Sequence, residues 1–403
     1  MGVHKSPQLP HLAVSAVALL ALVHLSLGDV SEQDDSRLTL LFAGDANLNN
    51  MLDPSNLTFP WAGIRHVIDG SDAFLLNHEG EVTNNTHNVS DPALKDSPAI
   101  ANSYLTANVS FVALANNHQA DYGRLSVYDT MGFFKRSKMP YAGVGRTFEE
   151  AAEPAILVMK GKKVAVFATM IGPPYDKQGR GQACWPPLIQ CDPAGNGLPG
   201  VHYIPNVTFA AEHLIARANS IRDKVDYVIM FFHWGSNWDF MDGSSGDIWK
   251  ERQWLAHRLL ESRNVDMIWG TSAHHIQPIE IYNGKPIIYG LGNLMIPLPA
   301  DLPPGIPPPR YRTRLAFLYN LALDFTQQKK ESVPFTLEAV PIVSDDWKID
   351  VVKNTSDLEW LFSKFNTISK AFGTKMERTD SGKWFVQARG DATALSSHSG
   401  PNS

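Results

Sequence analysis

The sequence predicts an α/β fold, and two observations support that prediction. Apolar runs of roughly five to eight residues without polar alternation are typical of strands buried on both faces of a sheet. Residues 225–239 (VDYVIMFFHWGSNWD) contain the clearest run, which ends at His233. Segments with helical spacing lie between such runs. The chain has 403 residues, 44% hydrophobic and 19% charged, so we expect one large domain over residues 29–388.

Both ends of the chain differ from this domain. Residues 12–27 (LAVSAVALLALVHLSL) form an apolar run that follows Lys5, which predicts a cleaved secretory signal peptide over residues 1–28. A retained signal anchor is the alternative, although the run is short for a bilayer span. The polar tail, residues 389–403, predicts disorder and lacks the hydrophobic end of a lipid-anchor signal. We therefore expect a secreted or lumenal protein without stable membrane insertion after signal cleavage.

Secretion gives meaning to two further patterns. Six sequons predict N-glycosylation at Asn56, Asn84, Asn88, Asn108, Asn206 and Asn354. Cys184 and Cys191 are the only cysteines, and an oxidising compartment favours a disulfide between them, with two free thiols as the alternative.

The net charge is −6, and the sequence contains no run of basic residues of the kind that binds a phosphate backbone. We therefore expect no nucleic-acid partner.

In the first part of the chain, three predicted strands end in polar side chains. The strands are residues 37–45, 72–79 and 108–118, and their ends carry Asp45, Asn47, Glu79, Asn116, Asn117 and His118. Helical spacing predicts helices over residues 61–70 and 125–138. Residues 80–97 are polar and contain two sequons, which predicts a surface loop.

The middle of the chain alternates hairpins, helices and strands. Residues 155–170 predict a hairpin, and residues 172–205, rich in Gly and Pro, predict a long irregular loop. Helices are predicted over residues 206–222, capped by Asn206, and over residues 247–262. Residues 265–269 predict a buried strand that leads to His274 and His275. A second hairpin over residues 278–289 turns at Asn283-Gly284 and leads to Asn293.

Two strands and a helix are predicted near the end of the domain. Residues 312–325 and 332–343 predict a pair of strands, and residues 356–372 predict a helix.

The ends of five predicted strands carry groups that bind metal ions. Carboxylate, amide and imidazole ligands come from Asp45, Asn47, Glu79, Asn117, His233 and His274. Such a mixed set suits borderline and hard divalent ions. Each residue alone is more often structural, so the prediction depends on whether the set converges at the ends of the strands.

The order and spacing of these motifs resemble those of the CapA proteins of poly-γ-glutamate capsule synthesis, a family related to calcineurin-like metallophosphoesterases. The resemblance covers about residues 39–319. Its motifs are Gly44-Asp45, Asn77-His78-Glu79, Asn116-Asn117-His118, His233-Trp234-Gly235, Ser272-Ala273-His274-His275 and Gly290-Leu291-Gly292-Asn293. The resemblance implies a metallophosphoesterase-like, four-layer α/β/β/α sandwich with its site at one edge of the paired sheets.

The resemblance also implies roles for individual residues. One or two divalent ions (Mn, Zn or Mg) would be held by Asp45, Glu79, Asn117, His233 and His274. Asn47, just beyond the first strand, is a further candidate ligand from the sequence. His118 would help the leaving group depart as an acid or hydrogen-bond donor. The candidate supporting residues are His275, Asn116 and Asn293.

The chain departs from the phosphoesterase pattern in two places. Thr271 and Ser272 stand where a second histidine is expected, and Asn47 stands where an early histidine is expected. Two functions are therefore open. One is a secreted metal-dependent hydrolase acting on an anionic small molecule or polymer, and the other is a non-catalytic binding or scaffold protein with a degenerate metal site. The candidate cations for an anionic substrate are Lys250, Arg252, Arg312 and Arg314.

Overall fold

The structure is a computed structural model that describes Met1, Gly2 and residues 36–48, 52–88, 93–172, 194, 197–235, 250–296, 312–327 and 332–389. Three predictions lie outside the described residues. These are most of the signal peptide, the disulfide between Cys184 and Cys191, and the tail beyond residue 389. No described helix combines the length and the apolar character needed to cross a membrane.

The described elements are numbered in chain order. The strands are β1 Arg37–Ala46, β2 Ala73–His78, β3 Glu81–Val82, β4 Lys95–Asp96, β5 Val109–Ala113, β6 Tyr141–Ala142, β7 Val144–Gly145, β8 Ala155–Met159, β9 Lys162–Ile171, β10 Gly200–Val201, β11 Tyr203–Ile204, β12 Tyr227–His233, β13 Met267–Thr271, β14 Ile279–Tyr282, β15 Lys285–Ile288, β16 Asn293–Met295, β17 Leu315–Asp324, β18 Phe335–Asp345, β19 Lys348–Val351, β20 Thr374–Arg378 and β21 Trp384–Ala388. The α-helices are α1 Arg65–Ile68, α2 Pro98–Ala101, α3 Ser103–Thr106, α4 Ser126–Arg136, α5 Phe148–Ala151, α6 Val207–Ile221, α7 Lys250–Glu261 and α8 Thr355–Ile368. The 3₁₀ helices are Phe59–Trp61, Arg222–Lys224, Phe325–Gln327 and Lys370–Phe372.

The larger sheet is built around β1. Over the described residues its order is β20-β21-β18-β17-β1-β2-β5-β6, with β16 paired to β1 and β19 paired to β18. β1 is parallel to β2 and β16 and antiparallel to β17. Leu40, Leu41 and Phe42 are all buried, as expected for a strand covered on both faces. The carboxyl ends of β1 and β2 therefore lie side by side.

The smaller sheet is built around β12. Its order within the described residues is β11-β9-β12-β13-β15-β14, with β8 paired to β9. β9, β12 and β13 are parallel, and His233 at the end of β12 lies beside Thr271 of β13 and Met170 of β9. Parallel pairing thus brings the ends of these strands to one edge of the sheet.

Trp269 of β13 packs between the two sheets. Its ring meets Phe42 of β1 and Phe111 of β5 edge-on, with centroids 5.2 and 6.4 Å apart. The other face of the smaller sheet packs against α6 and α7 through side chains such as Leu214 and Leu255. One hydrophobic layer therefore joins the sheets, and a second joins the smaller sheet to its helices.

Helices and 3₁₀ turns also cover the larger sheet. Phe74 of β2 packs on Trp61 of the first 3₁₀ helix, and His78 packs on Phe134 of α4. These contacts establish the predicted mixed α/β class with several sheets. The complete four-layer order stays a prediction, and the contacts on both sheets support it.

Most of the longer elements agree with the sequence. The β8–β9 and β14–β15 hairpins turn at Lys160-Gly161 and Asn283-Gly284, and all four residues have positive φ. Asn206 caps α6 and accepts a hydrogen bond from the backbone nitrogen of Phe209 at 2.9 Å. β17 and β18 pair as predicted, whereas β19, β20 and β21 were missed.

Three local predictions are wrong. The helix over residues 61–70 is reduced to the single turn α1, because Gly63 bridges to Asp350 and Ile64 has a φ of −116°. The loop predicted over residues 80–97 contains β3 and β4, and Glu81 is buried there. The loop predicted over residues 172–205 contains β10 and β11, which pair with β7 and β9. Such short strands depend on distant partners and leave little signal in sequence.

Candidate metal centre

The end of β1 is held between two neighbouring strands. Asp45 lies opposite Asn77 of β2 and opposite Asn293 of β16. Asn77 Nδ2 donates a hydrogen bond to Asp45 Oδ1 at 2.7 Å. Gly44 permits this close approach, because a Cβ atom there would lie 1.7 Å from Gly292 O. These contacts thus fix the position of Asp45 without a bound ligand.

Asp45, Glu79 and His274 form the centre of the site. All three are buried, and one ligand atom from each lies within 4.8 Å of the others. His274 Nδ1 is 3.7 Å from Asp45 Oδ2, and His274 Nε2 is 3.9 Å from Glu79 Oε1. The Nε2 atoms of His118 and His233 lie 3.9 and 3.7 Å from the same Glu79 oxygen. Three imidazole rings therefore surround one carboxylate oxygen.

Asn293 orients the ring of His274. His274 Nδ1 lies 2.9 Å from Asn293 Oδ1, and Asn293 Nδ2 donates to Thr313 O at 3.3 Å. Because the amide oxygen can only accept, His274 carries its proton on Nδ1. His274 Nε2 then has a lone pair available on the side of Glu79, as a metal ligand requires.

Asp121 orients His118 in the same way. His118 Nδ1 lies 2.7 Å from Asp121 Oδ2, which also accepts a hydrogen bond from the backbone nitrogen of Leu94 at 2.7 Å. His118 Nδ1 therefore donates to a fixed carboxylate, and Nε2 is turned toward Glu79. Asp121 follows His118 by three residues, a spacing from which sequence reasoning could have identified this pair.

His233 is held at both ring nitrogens. Its Nε2 lies 2.8 Å from Asn117 Oδ1, and its Nδ1 lies 3.2 Å from Thr271 Oγ1. Asn117 thus stands where the sequence predicted an amide ligand beside an imidazole ligand. Thr271 was predicted only as the position of an absent histidine, and its contact with His233 was missed.

The pKa values of the cluster are set mainly by burial. Burial raises the pKa of Asp45, although the charge of His274 partly offsets this. Burial and the charges of Asp45 and Asp121 raise the pKa of Glu79 well above its usual range. Burial lowers the pKa of both His233 and His274. Among the described residues, no lysine or arginine forms an ion pair with Asp45 or Glu79, so positive charge is what this cluster lacks.

A divalent ion fits this arrangement. Ligand atoms bound at about 2.0 to 2.2 Å around one ion lie roughly 3 to 4 Å from each other. The distances from Glu79 Oε1 to the three imidazoles fall in that range. Glu79 Oε2 is buried and accepts no hydrogen bond from the part of the chain that the structure describes, so it is available there as a ligand. Asp45, Glu79 and His274 could therefore bind a metal ion of the borderline class.

The remaining predicted residues tie the surrounding loops together. Asn47 Nδ2 donates to Glu79 O at 2.8 Å, and Asn116 Nδ2 donates to His78 O at 2.8 Å. Asn116 Oδ1 also accepts a hydrogen bond from the backbone nitrogen of His118. His275 is buried, with its Nδ1 3.1 Å from Ile276 O. A ligand role for Asn47 stays a prediction.

All six predicted glycosylation asparagines are exposed, as glycan attachment requires. Asn206 and Asn354 also cap α6 and α8 through their side-chain oxygens. Glycosylation itself stays a prediction.

Comparisons with known proteins address the family directly. The family model described as "Bacterial capsule synthesis protein PGA_cap" matches residues 39–297. A probable polyglutamine synthesis accessory protein of Mycobacterium tuberculosis is 26% identical over 336 residues, covering 80% of each chain. PGA biosynthesis protein CapA of Bacillus subtilis is 27% identical over 192 residues, covering 47% of this chain and 43% of that protein.

A putative 5'-nucleotidase from Staphylococcus aureus, solved in complex with alpha-ketoglutarate, is 13% identical with a TM-score of 0.43. The match covers 82% of this chain and 58% of that one. The resemblance noted in the sequence is confirmed by the family match, which spans more than half of the chain. This chain belongs to the bacterial capsule synthesis protein PGA_cap family.

Proposed function

We propose that this protein is a metal-dependent hydrolase. The observation that supports the proposal most strongly is the convergence of Asp45, Glu79 and His274, whose ligand atoms lie within 4.8 Å of one another. Buried carboxylates without a neighbouring lysine or arginine are costly unless a cation is bound. The cluster is better explained as a binding site for a cation than as part of the hydrophobic core.

The proposed ligands are Asp45, Glu79, His233 and His274, with Asn117 as an amide ligand. When bound, a divalent ion supplies positive charge that polarises an ester or carbonyl oxygen and makes a water molecule more acidic. The protein contributes fixed orientation. Asn293 and Thr271 hold two of the imidazole rings at Nδ1, so that both rings present Nε2 to the cluster.

His118 is the proposed acid or hydrogen-bond donor. Its Nε2 lies 3.9 Å from Glu79 Oε1, and its Nδ1 is bound to Asp121. A carboxylate that accepts from Nδ1 fixes the orientation of the ring, so that Nε2 is directed toward the cluster and can donate to a leaving group there. His118 is 6% exposed, so its ring is largely shielded from bulk water.

An anionic small molecule or polymer is the proposed substrate, and secretion is part of the same proposal. Relatives named for polyglutamine synthesis and PGA biosynthesis make a γ-glutamyl polymer one class to test. Among the cations named from sequence, Arg312 and Arg314 form ion pairs with Asp357 and Asp345, and Arg252 is buried. We infer that Asp45, Glu79 and His274 would hold an ion that would supply most of the positive charge needed by an anionic substrate.

The test uses the mature chain from residue 29 onward. Bound metal is measured by elemental analysis, and hydrolysis of phosphomonoester, phosphodiester and γ-glutamyl substrates is assayed with added Mn²⁺ or Zn²⁺. We expect bound metal and metal-dependent turnover, both lost in His233→Ala. A parent protein without metal or turnover, matched by a folded His233→Ala variant, would contradict the proposal.

A second candidate function is a non-catalytic binding or scaffold protein. The observation in its favour is that Thr271 and Ser272 replace an expected histidine, while Ser272 Oγ donates to Gly235 O at 3.0 Å. A metal site with fewer nitrogen ligands can bind an anion without turning it over. Metal binding without hydrolysis of any of the three substrate classes would favour this function.

A further inference from the structure

Thr271 touches two of the proposed ligands. It is fully buried at the end of β13, and the register between β12 and β13 places it beside His233. Its Oγ1 lies 3.2 Å from His233 Nδ1, and its side chain is close enough to Asp45 to act against the rise in the pKa of that carboxyl. The hydroxyl group therefore lies between an imidazole and a carboxylate that come from different sheets.

We propose that Thr271 is a positioning residue that links His233 to Asp45 and holds His233 Nε2 toward the metal-binding cluster. The inference rests on the proposed metal site and extends it to Thr271, which is not one of the predicted metal ligands. With Nδ1 bound to Thr271, His233 Nε2 lies 2.8 Å from Asn117 Oδ1 and 3.7 Å from Glu79 Oε1. Loss of the Nδ1 contact would free the ring to rotate away from this direction.

A hydroxyl group suits this position because it both donates and accepts hydrogen bonds. In the metal-free form, Asn117 Oδ1 accepts from His233 Nε2, so Nδ1 is unprotonated and accepts from Thr271. When Nε2 acts as a ligand it carries no proton, so Nδ1 must be the donor. Thr271 can then accept from His233 Nδ1 and turn its own proton toward Asp45. A methyl group in place of the hydroxyl can do neither.

Thr169 of β9 provides a matched control. It is also fully buried, and its Oγ1 lies 2.9 Å from His202 Nδ1. The His202 ring packs against Phe148 and His213 instead of the carboxylates of the cluster. Removal of the Thr169 hydroxyl therefore makes the same chemical change without touching a proposed ligand.

The experiment measures metal affinity in the folded, metal-free protein. Parent, Thr271→Val, Thr271→Ser and Thr169→Val are titrated with Mn²⁺ and with Zn²⁺ by isothermal titration calorimetry. We expect Thr271→Val to weaken binding by about 10- to 100-fold, the usual effect of losing a partner of a ligand. Thr271→Ser retains the hydroxyl and should bind nearly as the parent does, and Thr169→Val should bind as the parent does.

The outcomes separate this inference from the proposed function. If the parent binds metal and Thr271→Val binds it equally well, the inference is wrong while the metal site stands. If the parent binds neither ion, the metal site is wrong and the inference is overturned with it. Thr271→Ala takes the place of Thr271→Val if the valine variant does not fold.

A second readout does not require metal. In protein labelled with ¹⁵N-histidine, the imidazole nitrogen signals of His233 report which nitrogen carries the proton, and His233→Gln assigns them. We expect Thr271→Val to shift these signals and Thr169→Val to leave them in place while shifting those of His202. Unchanged His233 signals in Thr271→Val would overturn the inference.

Discussion

The β1–β2 pair carries carboxylates at both ends, and the two ends balance their charge differently. At the amino end, Asp72 accepts hydrogen bonds from the backbone nitrogen and hydroxyl of Thr39 at 2.8 and 2.9 Å. Lys160 Nζ lies 2.9 Å from the same carboxylate. At the carboxyl end, Asp45 and Glu79 are buried, and the nearest basic side chains paired with them among the described residues are imidazoles 3.7 to 3.9 Å away.

The pKa values of these carboxyl groups shift in opposite directions. Partial burial would raise the pKa of Asp72, but hydrogen bonds from Lys160 and Thr39 outweigh it and lower that pKa. Burial raises the pKa of Asp45 and of Glu79 instead. At the amino end the protein supplies its own cation, whereas at the carboxyl end it places groups that could bind one. The difference is consistent with the proposed cation site at the carboxyl end.

The largest expected effect is that of Asp45→Asn on metal binding. The change keeps the side-chain size and removes the charge of a proposed ligand. We expect Mn²⁺ and Zn²⁺ affinity to fall by more than about 100-fold, since loss of a ligand's partner alone costs 10- to 100-fold. Calorimetric titration measures the change. Asp72→Asn makes the same change at the amino end and should bind metal normally, so equal losses in the two variants would break the comparison.

Asp121→Asn is expected to lower turnover more than metal binding. The change removes the carboxylate that accepts from His118 Nδ1, so the ring is no longer held with Nε2 directed at the leaving group. We expect the turnover number to fall by about 100-fold, within the usual range for general acid–base catalysis, while metal affinity is retained.

The control for Asp121→Asn is His118→Gln, alone and combined with it. Residues that act as a unit show non-additive losses, so the double variant should be about as slow as His118→Gln alone. If the fold-losses in turnover of the two single variants multiply in the double variant, Asp121 does not act through His118.

Glu79→Gln is expected to stabilise the metal-free protein. Because its pKa is raised in the fold, the Glu79 carboxyl stabilises the protein only while it is protonated, and this contribution is lost as pH rises above the ordinary value of 4.5. At pH 7 the neutral amide should therefore raise the free energy of unfolding by roughly 1 to 3 kcal/mol, the cost of burying an unsatisfied group.

Urea unfolding at pH 7 and near pH 4 measures the effect of Glu79→Gln. The gain should shrink at the lower pH, where the parent carboxyl is also neutral. The variant should also lose most of the stabilisation that added Mn²⁺ gives to the parent. If Glu79→Gln were less stable than the parent at pH 7, the negative charge of Glu79 would already be compensated within the metal-free protein.

Sequence reasoning predicted the carboxyl end of the strand pair better than the amino end. Asp45 and Glu79 interrupt long apolar runs, and a polar residue at the end of a buried strand is conspicuous. His233 and His274 follow the same pattern, so their places at strand ends, together with the family resemblance, predicted that these residues converge. Their role as ligands remains a prediction that the variants above test.

The ion pair between Asp72 and Lys160 could not be predicted in this way. The two residues are 88 positions apart, and Lys160 lies in a hairpin turn whose docking depends on the whole fold. The contact between Thr271 and His233 depends likewise on the register of β12 and β13, which no local pattern specifies. Contacts made across strands were therefore missed, whereas the residues at strand ends were found.

The smallest expected effect is that of Asp72→Asn on stability. The folded pKa of Asp72 is lowered, so the stability that its carboxylate contributes is fully present above the ordinary pKa of 3.8 and is lost as pH falls from that value through the lower folded pKa. Because the pair is partly exposed and screened, we expect a loss of only about 1 kcal/mol at pH 7. Urea unfolding should show this loss at pH 7 and a smaller loss near pH 3. Lys160→Met should cause a similar loss, and the double variant should lose less than the sum, because each single change removes the same ion pair. If Asp72→Asn instead stabilised the protein, as Glu79→Gln is expected to, the two ends would not differ in charge balance. The comparison would then give no support for an external cation at the carboxyl end.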